Sequence, residues 1–220
     1  MIRNCSSARG FTLLELLVVI VVAAILASIG YPAFIGALER AKVTKDMNNL
    51  RQIGIATQTY MNDNDGTLPG SATVTWMSQL NPKYASAWGV FQSPFDIRGP
   101  SEKGDATTPV SYGINANVFG TSASKITKPT IFIVFAAAEK SGSSVSFLGT
   151  AVSSAPGVEV VSTGTVTSTP GGTPTGGTHS SRVKINAIFA DWHVENMSWT
   201  TFTNTTPSTA DPDANYRWSP

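Results

Sequence analysis

A run of 23 uncharged residues, Leu16–Leu38, constrains the fold of this chain more than any other feature. As a helix it extends about 34 Å at 1.5 Å per residue, which is enough to cross the core of a bilayer. Arg3 and Arg9 precede the run, and Arg40 and Lys42 follow it. Because basic residues flank both ends, the charge pattern fixes orientation only weakly, and the short basic leader favours a cytoplasmic start.

The apolar run differs from an ordinary secretory signal, whose apolar segment covers about 7–15 residues. Glu15 also interrupts the hydrophobic sequence, with four residues from Phe11 before it and Leu16 directly after it. A carboxylate at membrane depth costs about 2.5–3.5 kcal/mol unless it is paired or lies near the interface. Two interpretations stay open: Glu15 lies at the headgroup level without a specific partner, or it meets a positive charge.

The sequence Gly-Phe-Thr-Leu-Leu-Glu, residues 10–15, resembles the N-terminus of type IV prepilins and of type II secretion pseudopilins. The resemblance implies that a prepilin peptidase cuts after Gly10 and methylates the new amine of Phe11. In a filament, Glu15 would then meet the Phe11 amine of a neighbouring copy. Loss of either charge would cost about 3–5 kcal/mol, by analogy with buried pairs. Pro32 stands where the family often has a helix-kinking proline.

These features divide the chain into a cleaved leader at 1–10, a transmembrane and assembly segment at 11–38, and a head at 39–220. The resemblance implies a single-pass protein of the bacterial inner membrane, with a cytoplasmic N-terminus before cleavage and a periplasmic or extracellular head. An apolar stripe at helical spacing predicts that the helix continues, amphipathic, to about residue 61. Its members are Ala41, Val43, Met47, Leu50, Ile53, Ile55 and Ala56, with Asp46 and Asn49 among the polar positions between them.

The head is predicted as α+β, with a small antiparallel sheet packed against the C-terminal half of the long helix. We expect a short helix at Trp76–Leu80 and strands at 110–119, 130–136 and 183–194. In the last run, alternation places Ile185 and Asn186 on opposite faces. Residues 141–178 form a Ser/Thr/Gly-rich insertion, in which stretches at 158–161 and 165–167 suit a hairpin.

Four segments of the head, at 60–66, 91–96, 111–115 and 189–195, resemble those of a large bacterial group of pilin-like proteins. Two positions depart from that group, which commonly has cysteine where Ser93 stands and glycine where Trp192 stands. An Asp-Gly pair suits a type I′ hairpin with positive φ, in which tryptophan would be strained. We therefore expect a turn of another type at 191–192.

Other functional classes fit the sequence less well. With 15 basic and 14 acidic residues, the chain lacks the excess of Lys and Arg that nucleic-acid binding needs, and Cys5 alone forms no internal disulfide. Asp63 and Asp65 are weak candidates for calcium, because the EF-hand pattern fails at its first and twelfth positions. The one cluster that suggests a tethered hydrolase consists of His179, Ser180, Ser181, Asp191, His193 and Glu195.

The prediction is a structural, non-enzymatic subunit of a type IV pilus-like or type II secretion pseudopilus filament without a required cofactor. Its partners would be prepilin peptidase, other copies and related pilins, the inner-membrane assembly machinery and the membrane, with no nucleic acid. The alternative is a membrane-tethered binding module that displays its head without polymerising.

Overall fold

The computed structural model describes residues 12–70, 76–96, 111–115, 117–118, 120–137, 146–147, 177–181 and 183–220. A helix, α1, spans Leu13–Asp63 and continues through Pro32, so the predicted long helix is confirmed. The chain divides into two compact units, Met1–Ala41 and Lys42–Pro220. The head also contains α2 (Trp76–Leu80), a 3-10 helix (Trp88–Phe91), β1 (Tyr112–Asn115), β2 (Ile133–Ala137), β3 (Ser146–Phe147), β4 (Lys184–Phe189), β5 (Val194–Ser198) and α3 (Trp199–Thr203).

The sheet has the order β3-β1-β2-β4-β5. Four of its strands form an antiparallel set, β1-β2-β4-β5, and the two-residue β3 pairs parallel with β1. With the helix, these strands give the predicted α+β, pilin-like arrangement. In the 141–178 insertion, the predicted hairpin stretches 158–161 and 165–167 lie outside the described residues.

The head covers one face of the C-terminal part of α1. Leu50 and Ile53 are buried there, as the stripe predicts, and so are Asp46 and Asn49. Ala41 and Ile55, in contrast, are exposed, Ile55 to 65%. The placement of these two residues on the buried stripe was therefore wrong, and Ile55 lies outside the 46-50-53-57 spacing that faces the head.

The last predicted strand, 183–194, was too long: it covers β4, the turn that follows and only the first residue of β5. Burial extends over every residue from Ile185 to Phe189. Since successive side chains of a strand point to opposite faces, β4 is covered on both sides. Sequence alternation identified the two faces of β4, but it did not reveal that Asn186 is buried.

The β4–β5 hairpin closes through a three-residue loop, with hydrogen bonds from Trp192 N to Phe189 O (2.9 Å) and from Phe189 N to His193 O (3.0 Å). This geometry confirms that the turn is not a two-residue type I′ turn. Trp192 nevertheless has a φ of 71°, so tryptophan occupies the left-handed position that glycine favours. The turn is thus of another type, as expected, and it still holds Trp192 in a strained backbone conformation.

Candidate functional site

The first turn of α1 is held by a reciprocal cap between Thr12 and Glu15. The Thr12 amide and hydroxyl both donate to Glu15 Oε2, at 2.9 and 2.8 Å, and the Glu15 amide donates to Thr12 Oγ1 at 3.2 Å. This is the capping-box arrangement, in which two helix-initiating residues satisfy each other's backbone donors. Glu15 therefore has partners within its own chain, which the sequence interpretation missed although Thr-x-x-Glu is the motif's signature.

The N-terminal part of α1 presents apolar side chains on all sides. Every large hydrophobic residue from Leu13 to Leu38 is at least 44% exposed. This segment of α1 is long and apolar enough to cross a membrane. A single apolar helix of this kind is consistent with a membrane-anchored protein. Pro32 lies within it, and the bend at Pro32 stays a prediction; Gly10 and Phe11, the processing residues, lie outside the described part of the chain.

The calcium candidates lie where α1 ends. Asp63 accepts hydrogen bonds from Lys83 Nζ and from the Tyr84 hydroxyl, each at 2.9 Å. The hydrogen bond from Lys83 is the main reason that the pKa of Asp63 is lowered. Asp65 follows in a turn with φ 50°. Within the ranges that the structure describes, no three His, Cys, Asp or Glu side chains come close enough to hold a metal ion.

The residues of the hydrolase hypothesis separate into two groups. His193 Nδ1 lies 2.5 Å from Asp191 Oδ1 at the hairpin turn, and its ring stacks on Phe189. His179 is 5% exposed and contacts Asn196 and Thr178 instead. Ser180 and Ser181 have positive φ in the turn that follows His179, and Glu195 is exposed on β5. His193 is thus paired with Asp191, whereas His179 is paired with Asn196 and Thr178.

A polar centre that the sequence interpretation missed lies under α1, around Asp46. Its Oδ1 accepts from Ser93 Oγ (2.5 Å) and from the Tyr112 hydroxyl (2.6 Å), and its Oδ2 accepts from Asn186 Nδ2 (2.8 Å). Asp46 is fully buried. Burial raises the pKa of Asp46, while the three donors act in the opposite direction. Burial and the nearby Asp46 charge raise the pKa of Tyr112 well above its usual range, so its hydroxyl stays a donor.

The position of Asp46 offered a usable signal. It precedes Leu50 by four residues and Ile53 by seven, so all three lie on one helix face. Ser93, where the resemblance leads one to expect cysteine, supplies one of its donors. Helical spacing could therefore have identified the buried carboxyl, whereas its partners, which are distant along the chain, could be identified only from the fold.

Comparison with known proteins finds a family match at the N-terminus of this chain. Residues 5–31 match the family model described as the prokaryotic N-terminal methylation motif, which is the type IV prepilin-like signature. The motif supports a type IV pilin- or pseudopilin-like precursor, and it implies processing by prepilin peptidase and pilin assembly in general. No curated protein and no solved structure matched the chain.

Proposed function

We propose that this protein is a structural subunit of a type IV pilus-like or type II secretion pseudopilus filament, assembled through its N-terminal helix. Prepilin peptidase processes it at the inner membrane, and assembly machinery then inserts it beside copies of itself and related pilins. The head lies in the periplasm or outside the cell. In this proposal the protein catalyses no reaction and requires no cofactor.

The observation that carries the proposal is the methylation motif placed directly on an exposed apolar helix. The matched residues 5–31 run into α1, whose large side chains are exposed as far as Leu38. Such a surface needs a cover, because apolar area left in water costs about 25 cal/mol per Å². Lipid covers it before assembly, and neighbouring helices cover it in a filament.

One observation favours the alternative, a membrane-tethered module that does not polymerise. Glu15 is already bound by Thr12 of its own chain, so its presence is explained without a neighbour. The two functions differ in what Glu15 must supply. A filament contact uses its negative charge, whereas a cap needs only an oxygen acceptor at this position.

Processing is tested by mass spectrometry of the mature N-terminus in cells that contain prepilin peptidase. We expect a chain that starts at Phe11 and carries one added methyl group. An intact Met1, or a cut after Ala27, would contradict prepilin processing. A strain without the peptidase is the control and should retain residues 1–10.

Assembly is tested with Glu15→Gln and Glu15→Ala, scored as the share of subunit recovered in sheared filaments. Glutamine preserves the cap acceptor and removes the charge, while alanine removes both. We expect both variants to lose incorporation by at least about tenfold, since breaking a buried pair costs about 3–5 kcal/mol.

The matched control is Glu39→Gln, which changes the next glutamate of α1 and should leave incorporation intact. Retained incorporation of Glu15→Gln with loss in Glu15→Ala would assign Glu15 to capping alone. Unchanged incorporation of both variants would show that Glu15 has no role in assembly. Absence of the wild-type subunit itself from the sheared fraction would refute the filament proposal in favour of the tethered module.

A further inference from the structure

Two asparagine amides connect the buried carboxylate of Asp46 to the ring of His179. Asn186 Nδ2 donates to Asp46 Oδ2 at 2.8 Å, and Asn186 Oδ1 accepts from Asn196 Nδ2 at 2.7 Å. Asn196 Nδ2 also lies 2.6 Å from His179 Nε2. Asn186 and Asn196 are directly paired across β4 and β5, so the sheet register fixes this contact.

When Asp46 is ionised, the donor and the acceptor of each hydrogen bond between Asp46 and His179 are fixed. An ionised carboxylate only accepts, so it turns the NH₂ group of Asn186 toward itself and the carbonyl toward Asn196. Asn196 must then present its NH₂ group to Asn186, and the second hydrogen of that group points at His179 Nε2. The Nε2 atom must accept, so the ring proton is on Nδ1, which donates to Thr178 Oγ1 at 3.0 Å.

We propose that the charge of Asp46 sets the tautomer of His179 through the amides of Asn186 and Asn196, so that protonation of Asp46 is accompanied by transfer of the ring proton of His179 from Nδ1 to Nε2. When Asp46 is uncharged, donors and acceptors exchange places along this series of hydrogen bonds. A donor at the Oδ2 position turns the carbonyl of Asn186 toward α1, with loss of the longer contact from Asn186 Nδ2 to Val43 O (3.4 Å). The carbonyl of Asn196 then faces His179. Nε2 carries the ring proton, and Nδ1, which has given it up, accepts from the Thr178 hydroxyl.

Two other titratable groups, Tyr112 and Asp96, lie on the elements that supply donors to Asp46. Tyr112 from β1 stays protonated, because burial and the Asp46 charge raise its pKa well above the usual range. Asp96, on the loop that supplies Ser93, accepts from Ser111 Oγ at 2.6 Å.

Lysines lie on the same two elements as Asp46 and Asn186. Lys42 and Lys45 on α1 are exposed, and so is Lys184 at the start of β4. Phe95 stacks on the His179 ring, with centroids 5.1 Å apart, and limits its rotation. The proposed coupling therefore joins the ring of His179 to a carboxyl group on α1.

The decisive experiment reads the ring nitrogens of the full-length chain, labelled with ¹⁵N and held in detergent micelles, by long-range ¹H–¹⁵N correlation NMR. The chain has two histidines, so His193 serves as the internal reference. At neutral pH we expect His179 to carry its proton on Nδ1. In Asp46→Asn, the retained oxygen accepts from Ser93 and Tyr112 while the new NH₂ group faces Asn186, and we expect the proton on Nε2.

An unchanged His179 tautomer in folded Asp46→Asn, or an Nε2–H ring in the wild type, would overturn the proposal. Should Asp46→Asn fail to fold, acid titration of the wild type replaces it. The Asp46 carboxyl carbon and the His179 nitrogens should then change at one common midpoint, and separate midpoints would refute the coupling. In Asn196→Ala, which removes the connecting amide, we expect the two midpoints to separate.

Discussion

At the scale of single residues, Gly54 determines how β4 contacts α1. A β-carbon at this position would lie 2.5 Å from Ile188 Cδ1 and 3.4 Å from Trp192 Cε3. Both side chains pack in the head, and Ile188 is fully buried. Glycine is therefore required here by close approach, although it lowers helix propensity by about 1 kcal/mol relative to alanine.

We predict that Gly54→Ala destabilises the head by about 1 kcal/mol. Overpacking costs about 1–3 kcal/mol, and the better helix propensity of alanine offsets part of it. The change is measured as the midpoint of denaturant unfolding in micelles, followed by tryptophan fluorescence.

Ile188→Val provides the control for this contact, because valine lacks the Cδ1 atom that the β-carbon of an alanine at position 54 would approach too closely. Alone, Ile188→Val should cost about 0.5–1.5 kcal/mol. In the Gly54→Ala background it should cost less or restore stability. Additive losses in the double variant would show that the clash is not the cause.

At the scale of elements, the β4–β5 hairpin contains a strained residue, Trp192, in a loop that is hydrogen-bonded to the segment before β2. The Ala190 amide donates to Phe132 O (2.9 Å) and the Asp191 amide to Pro129 O (3.2 Å), so the loop is tied to the segment before β2. These bonds, together with the packing of Trp192 near Gly54, hold a left-handed backbone that costs about 1–2 kcal/mol for a residue with a β-carbon.

We predict that Trp192→Gly is more stable than Trp192→Ala by about 1 kcal/mol. Both variants lose the indole contacts, but only glycine accepts a φ of 71° without strain. The two unfolding midpoints are compared under the same conditions. Ala190→Gly, at a position of the same loop without positive φ, should show the opposite sign, and a lower stability of Trp192→Gly than of Trp192→Ala would contradict the strain.

At the scale of the whole molecule, the sequence predicted what is periodic or local. The uncharged run and the apolar stripe predicted α1, and the strand-like runs located β1, β2 and β4, because spacing and propensity act over a few residues. The Asp46 centre could not be predicted in full. Its partners Tyr112 and Asn186 are 66 and 140 residues away from it, so only chain topology brings them together.

The cap of α1 does not depend on the leader residues 1–10. Thr12 and Glu15 both follow the Gly10–Phe11 bond, and the hydrogen bonds between them use no atom that precedes it. If the peptidase hydrolyses the Gly10–Phe11 bond, as we propose, every atom of the Thr12–Glu15 cap is retained. The same cap can therefore begin the helix both before and after processing.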